Sequence, residues 1–156
     1  MFLLLFICIF VTNFGQRIPE GFSAKIARFP EARCDFFVRE DGPDGRILAG
    51  TNLDTSLYYD IKCKPAKGFC LQVTNCTVSG DEDRSRQYAI IDHNGCSLES
   101  SLFGDVEYLS DFRAGVPNPF PIRFRGNSST VIFYCITTLI PREHSNCEHV
   151  KCANKN

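Results

Sequence analysis

Three groups of residues in this chain carry types and spacings that could do chemistry. The segment His144-Ser-Asn-Cys147-Glu-His149-Val-Lys-Cys152 packs two histidines and two cysteines together, the donor set of a tetrahedral zinc site. Zinc needs thiolates. Along a secretory path the same cysteines are oxidised to disulfides, and their short spacing is cramped for one tetrahedron. Asp92-His93 with Ser97 offers an acid, a base and a nucleophile. A hydrolase triad, however, is assembled from separated segments, with the base held between its orienting acid and the nucleophile. An adjacent Asp-His ahead of Asn94-Gly95 reads instead as polar turn chemistry. No Gly-x-Ser-x-Gly elbow, phosphate loop or dinucleotide fingerprint is present. The sequence therefore predicts a chain that is not an enzyme and holds no metal or cofactor. The third group is a pair of N-glycosylation sequons, Asn75-Cys76-Thr77 and Asn127-Ser128-Ser129. Asn127 sits in a turn, and Asn75 must point opposite to Cys76 to be reached.

The chain has nine cysteines. Cys8 lies in an unbroken apolar run over residues 2–11, too short for a bilayer span, which needs roughly 20 residues. The run fits the apolar region of a signal peptide, predicted over 1–15, so Cys8 leaves with it. The others are Cys34, Cys63, Cys70, Cys76, Cys96, Cys135, Cys147 and Cys152, an even set behind a secretory signal. That pattern predicts up to four disulfides in an oxidising compartment. Spacing alone leaves on the order of a hundred pairings open.

Those residues must be positioned by one domain, since 156 residues suffice for one of ordinary size. The chain is 44% hydrophobic with 14 Phe, enough for a packed core. Net charge is −1, from 17 basic and 18 acidic residues, which leaves no basic face for nucleic acid and no polybasic membrane patch. No second long apolar segment follows the first, so the mature chain is predicted to lack a membrane span. Residues 16–33 read as an extended leader. Strands are predicted over Cys34–Glu40, Leu57–Cys63, Phe69–Val78, Gln87–Asp92 and Ser129–Ile140, separated by turn signals at 41–45, 79–86 and 93–95. The last is apolar on both faces and is predicted to be central. Residues 98–109 hint at a short helix, and Pro117-Asn-Pro-Phe-Pro121 reads as a stiff connector or an exposed edge. Short strands punctuated by turns argue for an all-β sandwich.

The order of motifs is recognisable. Phe69-Cys-Leu-Gln-Val-Thr-Asn-Cys76, Ile90-Ile-Asp-His-Asn-Gly-Cys96, Val106-Glu-Tyr108, Phe133-Tyr-Cys135, and then Cys147 and Cys152 resemble the C-terminal half of a zona pellucida (ZP) module. Cys34 ahead of a Gly-Pro turn, and Cys63 shortly before Phe69-Cys70, resemble the nematode cuticlin branch of that family. The resemblance covers 34–152, leaving 153–156 as a tail. It implies an immunoglobulin-like β-sandwich stapled by disulfides. It also implies a Cys76–Cys135 pair clamping one sheet to the other, and a Cys96–Cys152 pair pinning the C-terminal tail. Cys34, Cys63, Cys70 and Cys147 remain open among three arrangements. A full ZP module has an N-terminal half that drives polymerisation and usually an anchor behind it, neither of which the sequence shows. The implied function is a structural or interaction component of a cuticle-like extracellular matrix. Its partners would be other ZP-domain or matrix proteins, in a homo- or hetero-oligomer. The alternative is a soluble secreted binding module that caps or regulates ZP filaments or binds a ligand.

Overall fold

A computed structural model describes residues 29–50, 54–80, 86–124, 130–143 and 146–153. The predicted signal segment, most of the leader, Asn127, His144 and residues 81–85 of the turn at 79–86 lie outside them. Seven strands form among the described residues: β1 (Cys34–Glu40), β2 (Leu57–Cys63), β3 (Phe69–Ser79), β4 (Gln87–Ala89), β5 (Glu107–Ser110), β6 (Arg113–Asn118) and β7 (Ile132–Pro141). They make a four-stranded sheet ordered β1-β2-β6-β5 and a three-stranded sheet ordered β4-β3-β7, with every pairing antiparallel. This is the A-B-E-D and C′-C-F arrangement of an immunoglobulin-like sandwich.

Alternation sets the faces. Leu57, Tyr59, Ile61 and Cys63 of β2 point inward, as do Ala114 and Val116 of β6 and Leu71, Val73, Cys76 and Val78 of β3. Inward packing is aromatic where the layers meet. Tyr59 lies 4.1 Å, ring centre to ring centre, from Phe133 of β7 and 6.4 Å from Phe103. Asn118, the one polar member of the inner row of β6, is fully buried. Its Nδ2 donates to the carbonyls of Leu102 (2.7 Å) and Phe120 (3.0 Å), so no polar cost is left unmet there.

Four elements differ from the sequence expectation. Residues 98–109 form no helix: Leu102 and Phe103 both donate to Glu99 O, a single turn, and the chain then enters β5. β6 was not foreseen because of Pro117. Pro117 fits because it lies past the last β5 pair, Glu107 with Gly115, so the amide hydrogen it lacks would have faced no strand there. Its carbonyl accepts from Gly104 (2.8 Å). Among the described strands β7 ends its sheet and is not central; Tyr134 and Ile136 on its outer face remain 44% and 42% exposed. The strand predicted over Gln87–Asp92 is shorter, because Ile90 and Ile91 leave β4 to bury in the core.

The outer face of the four-stranded sheet holds an ion-pair cluster. Asp60, 1% exposed, faces out from β2 between Arg39 of β1 (Nε to Oδ2, 2.6 Å) and Arg113 of β6 (Nε to Oδ1, 2.9 Å). The same arginines donate onward to the carbonyls of Gly45 and Pro43, so the carboxylate anchors the 41–45 turn over the sheet. Tyr58 covers the next position, and a Cβ at Gly115 would stand 2.2 Å from its ring. Burial works against ionisation of Asp60, but hydrogen bonds from Arg113 and Arg39 outweigh it and hold its carboxyl below the ordinary value.

Two expectations follow. Asp60→Ala leaves two guanidiniums without their shared partner. Because both are partly solvated, the loss should fall toward the lower end of roughly 3–5 kcal/mol, read as a fall in denaturant midpoint. Since the folded carboxyl is the more acidic, its contribution is present above the unfolded pKa and is lost as pH falls through the folded one. The wild-type and Asp60→Ala curves should therefore converge in acid, and parallel curves would refute the assignment. Second, Tyr108 of β5 reaches across to β3, where its hydroxyl accepts from Val73 N (3.0 Å) and faces Val73 O at 3.4 Å. Tyr108→Phe should cost about 1–3 kcal/mol by stranding that amide. Amide exchange at Val73 should accelerate, and unchanged protection would refute the bridge.

Candidate functional site: the disulfide framework

The residues singled out from the sequence converge on covalent structure. Four bridges form, Cys34–Cys63, Cys70–Cys147, Cys76–Cys135 and Cys96–Cys152, using every cysteine from Cys34 onward. Cys34 and Cys63 are register partners on β1 and β2. Cys76 and Cys135 join β3 to its neighbour β7, so this bridge lies within one sheet; the expected clamp between sheets is not what it makes. The strand order is the cause, since β3 and β7 are direct neighbours in the three-stranded sheet, and a β-bulge sets the local geometry. The register runs Thr74 with Ile136 and then Thr77 with Tyr134, so two β3 residues stand opposite Cys135 alone. The extra residue turns Cys76 inward, beside its partner.

The other two bridges hold the C-terminal tail. Cys147 is tied to Cys70 at the start of β3, and Cys152 to Cys96 in the turn after β4. Between them His149 stacks on Tyr108, with ring centres 3.4 Å apart and planes 3° from parallel. Burial lowers the His149 pKa, while the charge of Asp111 pulls the other way. Asp111 also pairs with Arg142, and its carbonyl accepts from Leu71 N (2.7 Å). One flank of the sandwich is thus closed by backbone, by the Tyr108 hydroxyl and by a bolted tail. At the other flank β1 and β7 end the two sheets, and Phe36 there is 44% exposed although it lies on the inner face beside Phe133 (5.5 Å).

The reactive alternatives dissolve in this geometry. Cys147 and Cys152 are spent in separate bridges, which removes both thiolates from the zinc reading. Cys96, Asp105 and Cys152 also approach one another, but both sulfurs belong to a single disulfide. Asp92 accepts from the amides of Asn94 (2.8 Å) and Cys96 (2.9 Å), capping the turn that Gly95 completes at φ +87°. Ser97 donates to Phe103 O (2.8 Å) and is buried. Asp92 and Ser97 thus hold the turn and its flank, and His93 stands exposed within it. Asn75 is exposed, with φ +48°, at the bulge.

No described helix is long and apolar enough to cross a membrane. The ion-pair cluster that sequence reasoning missed is Asp60 with Arg39 and Arg113. Their signal was faint: a carboxylate inside an otherwise strand-like run, which alternation assigns to the outer face.

Comparison with known proteins agrees with this framework. Residues 30–155 match the cuticlin C-terminal domain. The chain is 26% identical to Cuticlin-6 of Caenorhabditis elegans over 138 residues, 85% of this chain and 23% of that protein. It is 24% identical to Cuticlin-3 of the same organism over 139 residues, 87% of this chain and 34% of that protein. Cuticlin-1 is 24% identical over 139 residues, 31% of its length. The chain therefore spans 23% to 34% of the length of these relatives. A sandwich with all eight of these cysteines paired, matched over nearly its whole described length, belongs to the cuticlin C-terminal domain family.

Proposed function

We propose that the chain is a structural component of a cuticle-like extracellular matrix, where it associates with other ZP-domain proteins as a stiff, protease-resistant module. The observation that carries this reading is the disulfide framework. The bridges close sequence separations of 29, 77, 59 and 56 residues. On a chain-entropy estimate each is worth about 3–5 kcal/mol, so unfolding and proteolytic nicking are both suppressed. Such a framework forms and persists outside the cytosol. The names of the relatives support a cuticle setting, and the flank with the exposed Phe36 supports an interaction surface.

A second reading, a soluble module that caps or regulates filaments, is favoured by one observation. Because the eight cysteines pair internally, none is left to cross-link the domain to a neighbour. Association must then be non-covalent or use other groups. Extraction of the source tissue separates the readings. A matrix component should stay in the pellet under detergent alone and be released when reductant and denaturant together unfold it. On a denaturing gel without reductant, full chain secreted from a host cell and never exposed to reductant should show no disulfide-linked oligomer. A chain wholly soluble and monomeric in detergent-free buffer would sink the matrix reading in favour of the second.

A further inference from the structure

We propose that Asn75 carries an N-linked glycan, which covers the exposed apolar side chains of β7. The acceptor pattern is Asn75-Cys76-Thr77. In a regular strand with Val73 inward and Thr74 outward, alternation would send Asn75 into the core and Cys76 to solvent. The structure does the reverse. Asn75 is the extra residue of the bulge, exposed at φ +48°, while Cys76 is fully buried and bonded to Cys135. The acceptor amide therefore stands on the outer face of the three-stranded sheet.

Its surroundings give the glycan work to do. The positions flanking the bulge, Thr74 and Thr77, face Ile136 and Tyr134 across the ladder, so Asn75 lies between two large residues that are 42% and 44% exposed. From Ile132 to Ile140, β7 carries no charged residue. A long, uncharged strand ending a sheet is a surface that proteins protect from self-association, and a bulky polar saccharide protects it.

The attachment balances as a group transfer. The Nδ2 of Asn75 attacks the anomeric carbon of an oligosaccharide linked to a lipid pyrophosphate. The C–N bond forms, the C–O bond to pyrophosphate breaks, the lipid pyrophosphate leaves, and the amide proton passes to a base on the transferase. In the folded domain the backbone N–H of Asn75 donates to Asp92 O (2.9 Å), its Nδ2 faces Thr74 Oγ1 (3.4 Å) and Cys76 is buried, so transfer must precede closure of β3. Cys135 lies 59 residues further on, which leaves that interval during synthesis.

The proposal rests on the extracellular reading, and the test separates the two. Asparagine also tolerates positive φ for purely backbone reasons, so the informative position is Thr77, whose hydroxyl the acceptor pattern needs and that backbone shape does not. The full chain is secreted from a eukaryotic host and treated with an amidase that releases N-glycans in heavy-oxygen water, and the peptide containing Asn75 is weighed. Conversion of Asn75 to labelled Asp is expected, lost in Thr77→Ala and kept in Thr77→Ser. The Thr77→Ala protein, with its four bridges verified, should show a several-fold larger aggregated fraction. A secreted, fully bridged chain with unmodified Asn75 overturns the proposal, and unchanged aggregation after loss of the glycan overturns its shielding role. A chain held in the cytosol with titratable thiols overturns the extracellular reading, and this one with it.

Discussion

The two layers of this domain are held together by side chains rather than by a bond between sheets. Tyr59 against Phe133, with Phe103 and Phe36 beside them, forms the contact on which the sandwich closes. Stacked aromatics contribute about 0.5–1.5 kcal/mol beyond the area they bury. The two strand-to-strand disulfides stiffen the sheets separately, one in each. In an immunoglobulin domain the bridge between layers does both jobs at once. Here rigidity within a layer and adhesion between layers are separate, and the tail supplies the missing cross-link by another route. It is covalent to β3 and to the turn after β4, and it is stacked through His149 on β5 of the opposite sheet.

What the sequence showed and what it concealed follow from this division of labour. Strands β1 and β2 were legible to the residue, because aromatic and β-branched runs ended by Asp41-Gly-Pro and by Lys64-Pro leave no competing reading. The position of β7 was not. Apolar residues on both faces argue for a central strand, yet the outer residues Tyr134 and Ile136 stay half in solvent, because nothing in composition tells a buried face from an apolar one left uncovered. β6 was hidden by Pro117, whose cost depends on which neighbour its amide would have faced, and that is a property of topology and not of sequence. Helical hints in 98–109 lost to the burial of Phe103 and to the pairing of β5 with β6.

For the site, cysteine identity and number were legible, while their geometry was only partly so. The family pattern carried the Cys76 and Cys135 partnership but not its place within one sheet, because which strands become neighbours is a property of topology; nor did it carry the one-residue bulge that turns Cys76 inward. The Asp60 cluster escaped notice for the same kind of reason. A lone Asp in Leu-Tyr-Tyr-Asp-Ile-Lys-Cys reads as a solvated outward residue, and only the fold brings Arg39 from β1 and Arg113 from β6 to either side of it.

The contrast between the flanks gives the domain a direction. On one side the β5–β6 turn, the Tyr108 hydroxyl and the bridged tail consume the polar groups and leave little to open. On the other, β1 and β7 meet through the rings of Phe36 and Phe133, and Phe36, on the inner face, reaches solvent. Local opening follows the weakest set of contacts, so excursions should concentrate on the β1–β7 flank while the tail flank stays shut. The Cys34–Cys63 bridge limits those excursions by tying β1 to β2, so the flank can part from β7 without unravelling its own sheet. A surface that can loosen without unfolding is what a module needs if it is to meet a neighbour in a matrix and still keep its shape.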